Sequence, residues 1–160
     1  MKRSNVSSCN RIVKILAVNS AAKDWKVLWS IFEARERDPD TLVEWSLIPR
    51  AAWRSALQVL HEGEIPVVLC GTDSDIAGAA GWKEVLQHLR DMSTPPVLIL
   101  TSRLADDRLW AEALNLGAYD VLAEPFRDTE VVRSVTMAYR HWSSQYGGPS
   151  GRTRTAGAAA

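Results

Sequence analysis

Cysteine is scarce in this sequence. The two that occur, Cys9 in a polar leader and Cys70 at the end of an apolar run, are too few and too differently placed for a disulfide framework or a metal-ligand set. Neither charge is in excess, since nineteen basic side chains balance nineteen acidic ones. Nucleic-acid binding relies on Lys and Arg displacing the counterions condensed on phosphates, so this balance speaks against it. No apolar run approaches the roughly 18 residues of a membrane span. Met1 to Cys9 carries Lys2 and Arg3 but no apolar stretch, so it shows no signal-peptide pattern. The expectation is a cytoplasmic protein with no membrane or nucleic-acid partner.

What is present is enough apolar material for a core: 46% of the 160 residues are hydrophobic. That length suits one domain, which most often holds about 100 to 150 residues. Residues 1–10 read as a flexible polar leader. Residues 147–160, GGPSGRTRTAGAAA, read as a disordered tail whose small and turn-forming side chains bury nothing. The folded body is expected over 11–146.

Within that body short apolar runs alternate with longer amphipathic segments. Ile12 to Val18 is a first strand, followed by a helix from about Ala21 to Arg37 with Trp25, Leu28 and Phe32 at helical spacing. Asp38-Pro39-Asp40 stops it. Thr41 to Ile48 alternates like a half-buried edge strand, with Val43, Trp45 and Leu47 on one face. A helix then runs from beyond Pro49 to about His61, a strand from Ile65 to Cys70, and a helix from about Gly81 to Met92. Val97 to Leu100 is the fourth strand. Asp106 and Asp107 stand at helix N-cap positions, Gly117 closes that helix, Asp120 to Ala123 is the fifth strand, and a last helix spans about Asp128 to Trp142. Val, Ile and Leu-rich strands alternating with helices imply an α/β, flavodoxin-like three-layer sandwich: a five-stranded parallel sheet of order 2-1-3-4-5, joined by right-handed crossovers. Ligands of such sheets bind at the carboxyl ends of the strands.

Two stretches carry a resemblance. PVLILTS followed by DDRLWAEALNLGAYDVLAEPF is similar to the fourth strand, the Ala-Leu-x-x-Gly-Ala turn and the Lys-Pro-Phe segment of bacterial response-regulator receiver domains, the CheY-like superfamily. The resemblance covers nearly the whole body. It implies a phosphoacceptor Asp ending strand three, a Mg ion held by that Asp and an acidic pair after strand one, a Lys after strand five, and a cis peptide before the following Pro. Here Asn19 and Ser20 stand for the acidic pair, Gly71 for the phosphoacceptor and Glu124 for the Lys. Val121 replaces the aromatic switch residue, and only Thr101, at the hydroxyl position, matches. The set describes a degenerate pseudo-receiver that acts through protein contacts without phosphorylation, metal or cofactor, and without enzymatic activity. Its implied partners are a histidine kinase, another regulator, or a second copy of itself.

Alternatives remain open at this level. Asp73, or Asp75, in the loop after strand three would serve as phosphoacceptor if the alignment slipped, although acidic residues in Ser and Gly-rich loops are usually solvated. The pocket framed by Asn19, Gly71, Thr101 and Glu124 would suit a small-molecule sensor. Cys70 ends a buried strand with no activating neighbour in sequence. His61, His88 and His141 show no ligand spacing. Seven tryptophans exceed what single helical stripes absorb, so Trp29, Trp53, Trp82, Trp110 and Trp142 are not all expected to be buried, and those left at the surface favour protein contacts. The family usually buries the residues matching Leu109 or Ala113. Trp110 would therefore face out, forming with Val121, Arg133 and Tyr139 an interface on the face made by helix four, strand five and helix five.

Overall fold

The computed structural model describes residues 11–34, 43–72 and 81–147. Its elements follow in the order β1 (Arg11–Val18), α1 (Ala22–Glu33), β2 (Val43–Arg50), α2 (Trp53–Glu62), β3 (Val67–Gly71), α3 (Trp82–Arg90), β4 (Val97–Ser102), α4 (Asp107–Leu116), β5 (Asp120–Ala123) and α5 (Asp128–Tyr146). The sheet is parallel, in the expected order β2-β1-β3-β4-β5. The Asp38-Pro39-Asp40 stop, the leader, the tail beyond Gly147, and Asp73 and Asp75 lie outside the described residues.

Strand alternation splits the core into two layers. Val13, Ile15 and Ala17 of β1 face one side with Val67, Leu69, Ile99 and Leu122, where α1 and α5 cover them. Leu16 and Val18 face the other side with Val68, Cys70, Leu98 and Leu100, beneath α2, α3 and α4. Both faces of the central strands are thus removed from water, which is why β3 reads as an unbroken apolar run.

The edge strand runs further than Thr41 to Ile48 suggests, through Pro49 to Arg50, with Pro49 opposite Ala17. Proline is tolerated because β2 has a ladder on one side only. At α4 the cap is Asp106, whose carboxylate accepts the Leu109 amide at 2.8 Å, and Gly117 closes the helix at φ 110°. Only a residue free of Cβ constraint adopts that angle readily. Asp106→Ala should remove about 1 kcal/mol of stability by stranding the Leu109 N–H. Thermal melting should register this as a fall of roughly 3 °C.

The long α5 buries one of the tryptophans. Its stripe Val131, Val135, Ala138, Tyr139 and Trp142 docks on the sheet, and Trp142 is 1% exposed. Trp53 is likewise buried at the start of α2, while Trp82 and Trp110 are half-buried against the α2/α3/α4 layer. Trp29 is exposed, at 51%, so the five are not all buried, as expected.

Candidate functional site

The carboxyl ends of β1, β3, β4 and β5 converge as the topology requires. Val18 pairs with Cys70 and Gly71 with Thr101, which sets Asn19, Gly71 and Thr101 at adjacent strand ends. The strand-end residues named from the sequence, Asn19, Ser20, Gly71, Thr101 and Glu124, are therefore brought together.

Gly71 decides what this edge can do. Asn19 turns the chain out of β1 in the left-handed region, at φ 55°, a conformation Asn tolerates better than most side chains. That turn carries the Asn19 carbonyl across the end of β3. A Cβ built on Gly71 would stand 3.0 Å from the Asn19 carbonyl carbon, closer still to its oxygen, and 3.5 Å from Ser20 Oγ. The volume where a side chain at 71 would begin is filled by backbone.

The remaining groups are neutral or already engaged. Asn19 Nδ2 donates to Cys70 Sγ at 3.5 Å and Ser20 Oγ donates to the Val18 carbonyl at 3.3 Å. Burial pushes the Cys70 thiol up to about 12, against a smaller opposing effect of the Asn19 hydrogen bond. Cys70 is therefore a protonated, shielded thiol at neutral pH. Thr101 Oγ1 is buried without a hydrogen-bond partner among the described residues. The Thr101 carbonyl accepts both the amide of Thr72, at 3.0 Å, and its hydroxyl, at 3.3 Å.

Glu124 follows β5, its amide donating to the Ser102 carbonyl at 2.9 Å, and the Glu124-Pro125 peptide is cis, as the resemblance implied. Arg103 Nε lies 3.4 Å from Glu124 Oε2; the carboxylate side chain is 9% exposed and the guanidinium 50%. A carboxylate at this edge repels phosphate, and the Arg103 cation is already paired with it. The donor set also fails to fit Mg, a hard ion that seeks carboxylates in octahedral array. Asn19 and Ser20 carry no charge, Gly71 has no side chain, and Glu124 is turned to Arg103. Arg103 had no place in the sequence reading, because a basic residue in a loop is ordinarily solvated and only the fold sets it on Glu124.

The expected interface does not assemble as a surface. Arg133 is exposed on α5, and Trp110 is half-buried on α4. Val121 is fully buried within β5, and Tyr139 is 7% exposed, its ring meeting Trp45 edge-on at 5.8 Å in the opposite core layer. The reason is helical period. Tyr139 stands four residues from Val135 on the inward stripe, whereas Arg133, Met137 and Arg140 point to solvent. Val121 and Tyr139 are thus core residues. Leu109 is half-buried and Ala113 fully buried, as the resemblance implied for that helix.

Compared with known protein families, the chain matches no family model. Among curated proteins it is similar to the transcriptional regulatory protein CpxR of Klebsiella pneumoniae, 33% identical over 96 residues, covering 54% of this chain and 40% of that protein. CpxR of Escherichia coli is 40% identical over 65 residues, 39% of this chain and 27% of that one. The chain spans less than half the length of these relatives. Among solved structures, the signal receiver domain of an HD domain-containing protein from Pseudomonas fluorescens superposes with a TM-score of 0.67 at 23% identity, over 84% of this chain and 99% of that one. A response regulator from Chloroflexus aurantiacus gives 0.66 at 17%, over 81% and 99%. The chain has the CheY-like receiver fold.

Proposed function

We propose that this chain is a two-component signalling module of receiver type that acts by protein contact and takes no phosphoryl group at the end of β3. The observation that carries the reading is Gly71, which has no nucleophile and whose side-chain space the Asn19 carbonyl fills. The uncharged Asn19 and Ser20 and the Arg103 to Glu124 pair support it, because they remove the metal site and the phosphate-binding cation together. The unit that does this work is 11–146, without cofactor and without catalytic turnover. Its partners are a histidine kinase, another regulator or a second copy, in the cytoplasm. Among the described residues no helix is long and apolar enough to cross a membrane.

The likeness to proteins described as response regulators favours a second reading, in which a phosphoryl group is accepted on Asp73. One experiment separates the two. Incubation with acetyl phosphate and Mg, read by intact mass, should leave the mass unchanged. A gain of one phosphoryl group that disappears in Asp73→Asn would establish the second reading and overturn the first.

A further inference from the structure

The histidines have no shared spacing in sequence, yet the fold brings two of them together. α2 and α3 lie side by side over one face of the sheet, and their last turns carry His61 and His88. The imidazole centroids stand 5.9 Å apart with ring planes at 81°. Both rings line a cavity of about 500 Å³ whose wall also holds Glu64 and Asp91.

We propose that His61 and His88 bind a divalent first-row transition-metal ion, zinc above all, as a bridge between the ends of α2 and α3. With Zn–N bonds of about 2.0 to 2.1 Å, each ring centroid lies roughly 3.2 Å from the metal, so a tetrahedral angle sets two centroids roughly 5.2 Å apart. The observed separation is wider and the rings meet edge-on, so one side chain must rotate before a nitrogen of each ring faces the same ion. His61 is exposed and free to turn. His88 is half-buried and held by Trp53, edge-on at 5.6 Å and 88°, so one ligand is oriented before the ion arrives. Among the described residues no group of three His, Cys, Asp or Glu is set to hold a metal. The site is therefore a two-imidazole clamp whose other positions go to water; Asp91 lies on the same wall, whereas Glu64 is already paired with Arg11 at 3.1 Å. Imidazole ligands select zinc, copper and nickel over Mg and Ca. The proposal is independent of the signalling reading, since these residues lie at the opposite end of the sheet from Gly71.

The test is calorimetric titration of the full chain with zinc chloride, repeated with magnesium chloride. Saturable zinc binding in the micromolar range is expected, with no response to magnesium. His61→Ala should weaken it at least tenfold. This side chain is exposed, so an unchanged melting curve without zinc will show that the fold is kept. His88→Ala should do the same, and His141→Ala, whose ring contacts Tyr119 instead, should not. Zinc binding no tighter than millimolar, or binding undiminished in His61→Ala, overturns the proposal.

Discussion

Gly71→Asp is expected to leave the protein unable to take a phosphoryl group and to melt well below the wild type. Restoring the residue type that the receiver family carries should fail because the obstacle is backbone. The new Cβ would fall far inside van der Waals contact of the Asn19 carbonyl, which belongs to the turn out of β1 and cannot swing aside as a side-chain tip would. Overpacking of a filled site costs about 1 to 3 kcal/mol, and the rigid partner puts Gly71→Ala near the top of that range. At about 2 to 4 °C per kcal/mol for a chain of this size, the alanine variant should lose roughly 10 °C. The aspartate variant adds the penalty of a buried charge and should lose more. Thermal melting of both variants, followed by acetyl phosphate treatment and intact mass, checks the expectation. An aspartate variant as stable as the wild type and carrying a phosphoryl group would show that the turn at Asn19 yields.

The β1 turn also shows where sequence reading stops. The five alternating segments and the sheet order follow from hydrophobic period and crossover rules, the family resemblance implied that Asn19, Gly71, Thr101 and Glu124 share one edge, and all are found. The same reading identified Asp106 and Gly117, because a cap and a left-handed close depend on residues within one turn. Contacts between distant segments were illegible. That Arg103 lies on Glu124, that the Asn19 carbonyl occupies the space beside Gly71, and that His61 meets His88 all depend on side-chain and backbone placement after the sheet has formed. The misplacement of Tyr139 is different, since its signal was present. Val131, Val135, Ala138 and Trp142 already marked the inward stripe at helical spacing, and the family register was followed in its place.

Trp142→Ala is expected to bring the protein close to unfolding at room temperature. Its indole is among the largest fully buried side chains, lying in the α1/α5 layer with the Tyr146 ring tilted against it at 5.8 Å. Removing an aromatic side chain from such a site costs about 3 to 5 kcal/mol through lost transfer energy and the cavity left behind. Native domains hold only about 5 to 15 kcal/mol in total. Trp142→Phe should behave differently, and the reason is the indole N–H. Trp142 Nε1 is buried with no hydrogen-bond partner among the described residues, so the wild type carries an unmet donor that disfavours folding by about 1 to 3 kcal/mol. Phenylalanine gives up volume but also removes that donor, and the two effects oppose. The phenylalanine variant should therefore lie within about 1 kcal/mol of the wild type, well above alanine, although it too leaves a cavity. Urea unfolding of the three proteins, at equal denaturant slope, measures the difference. If alanine and phenylalanine destabilise equally, the N–H has a partner in solution and the cavity alone governs this end of α5.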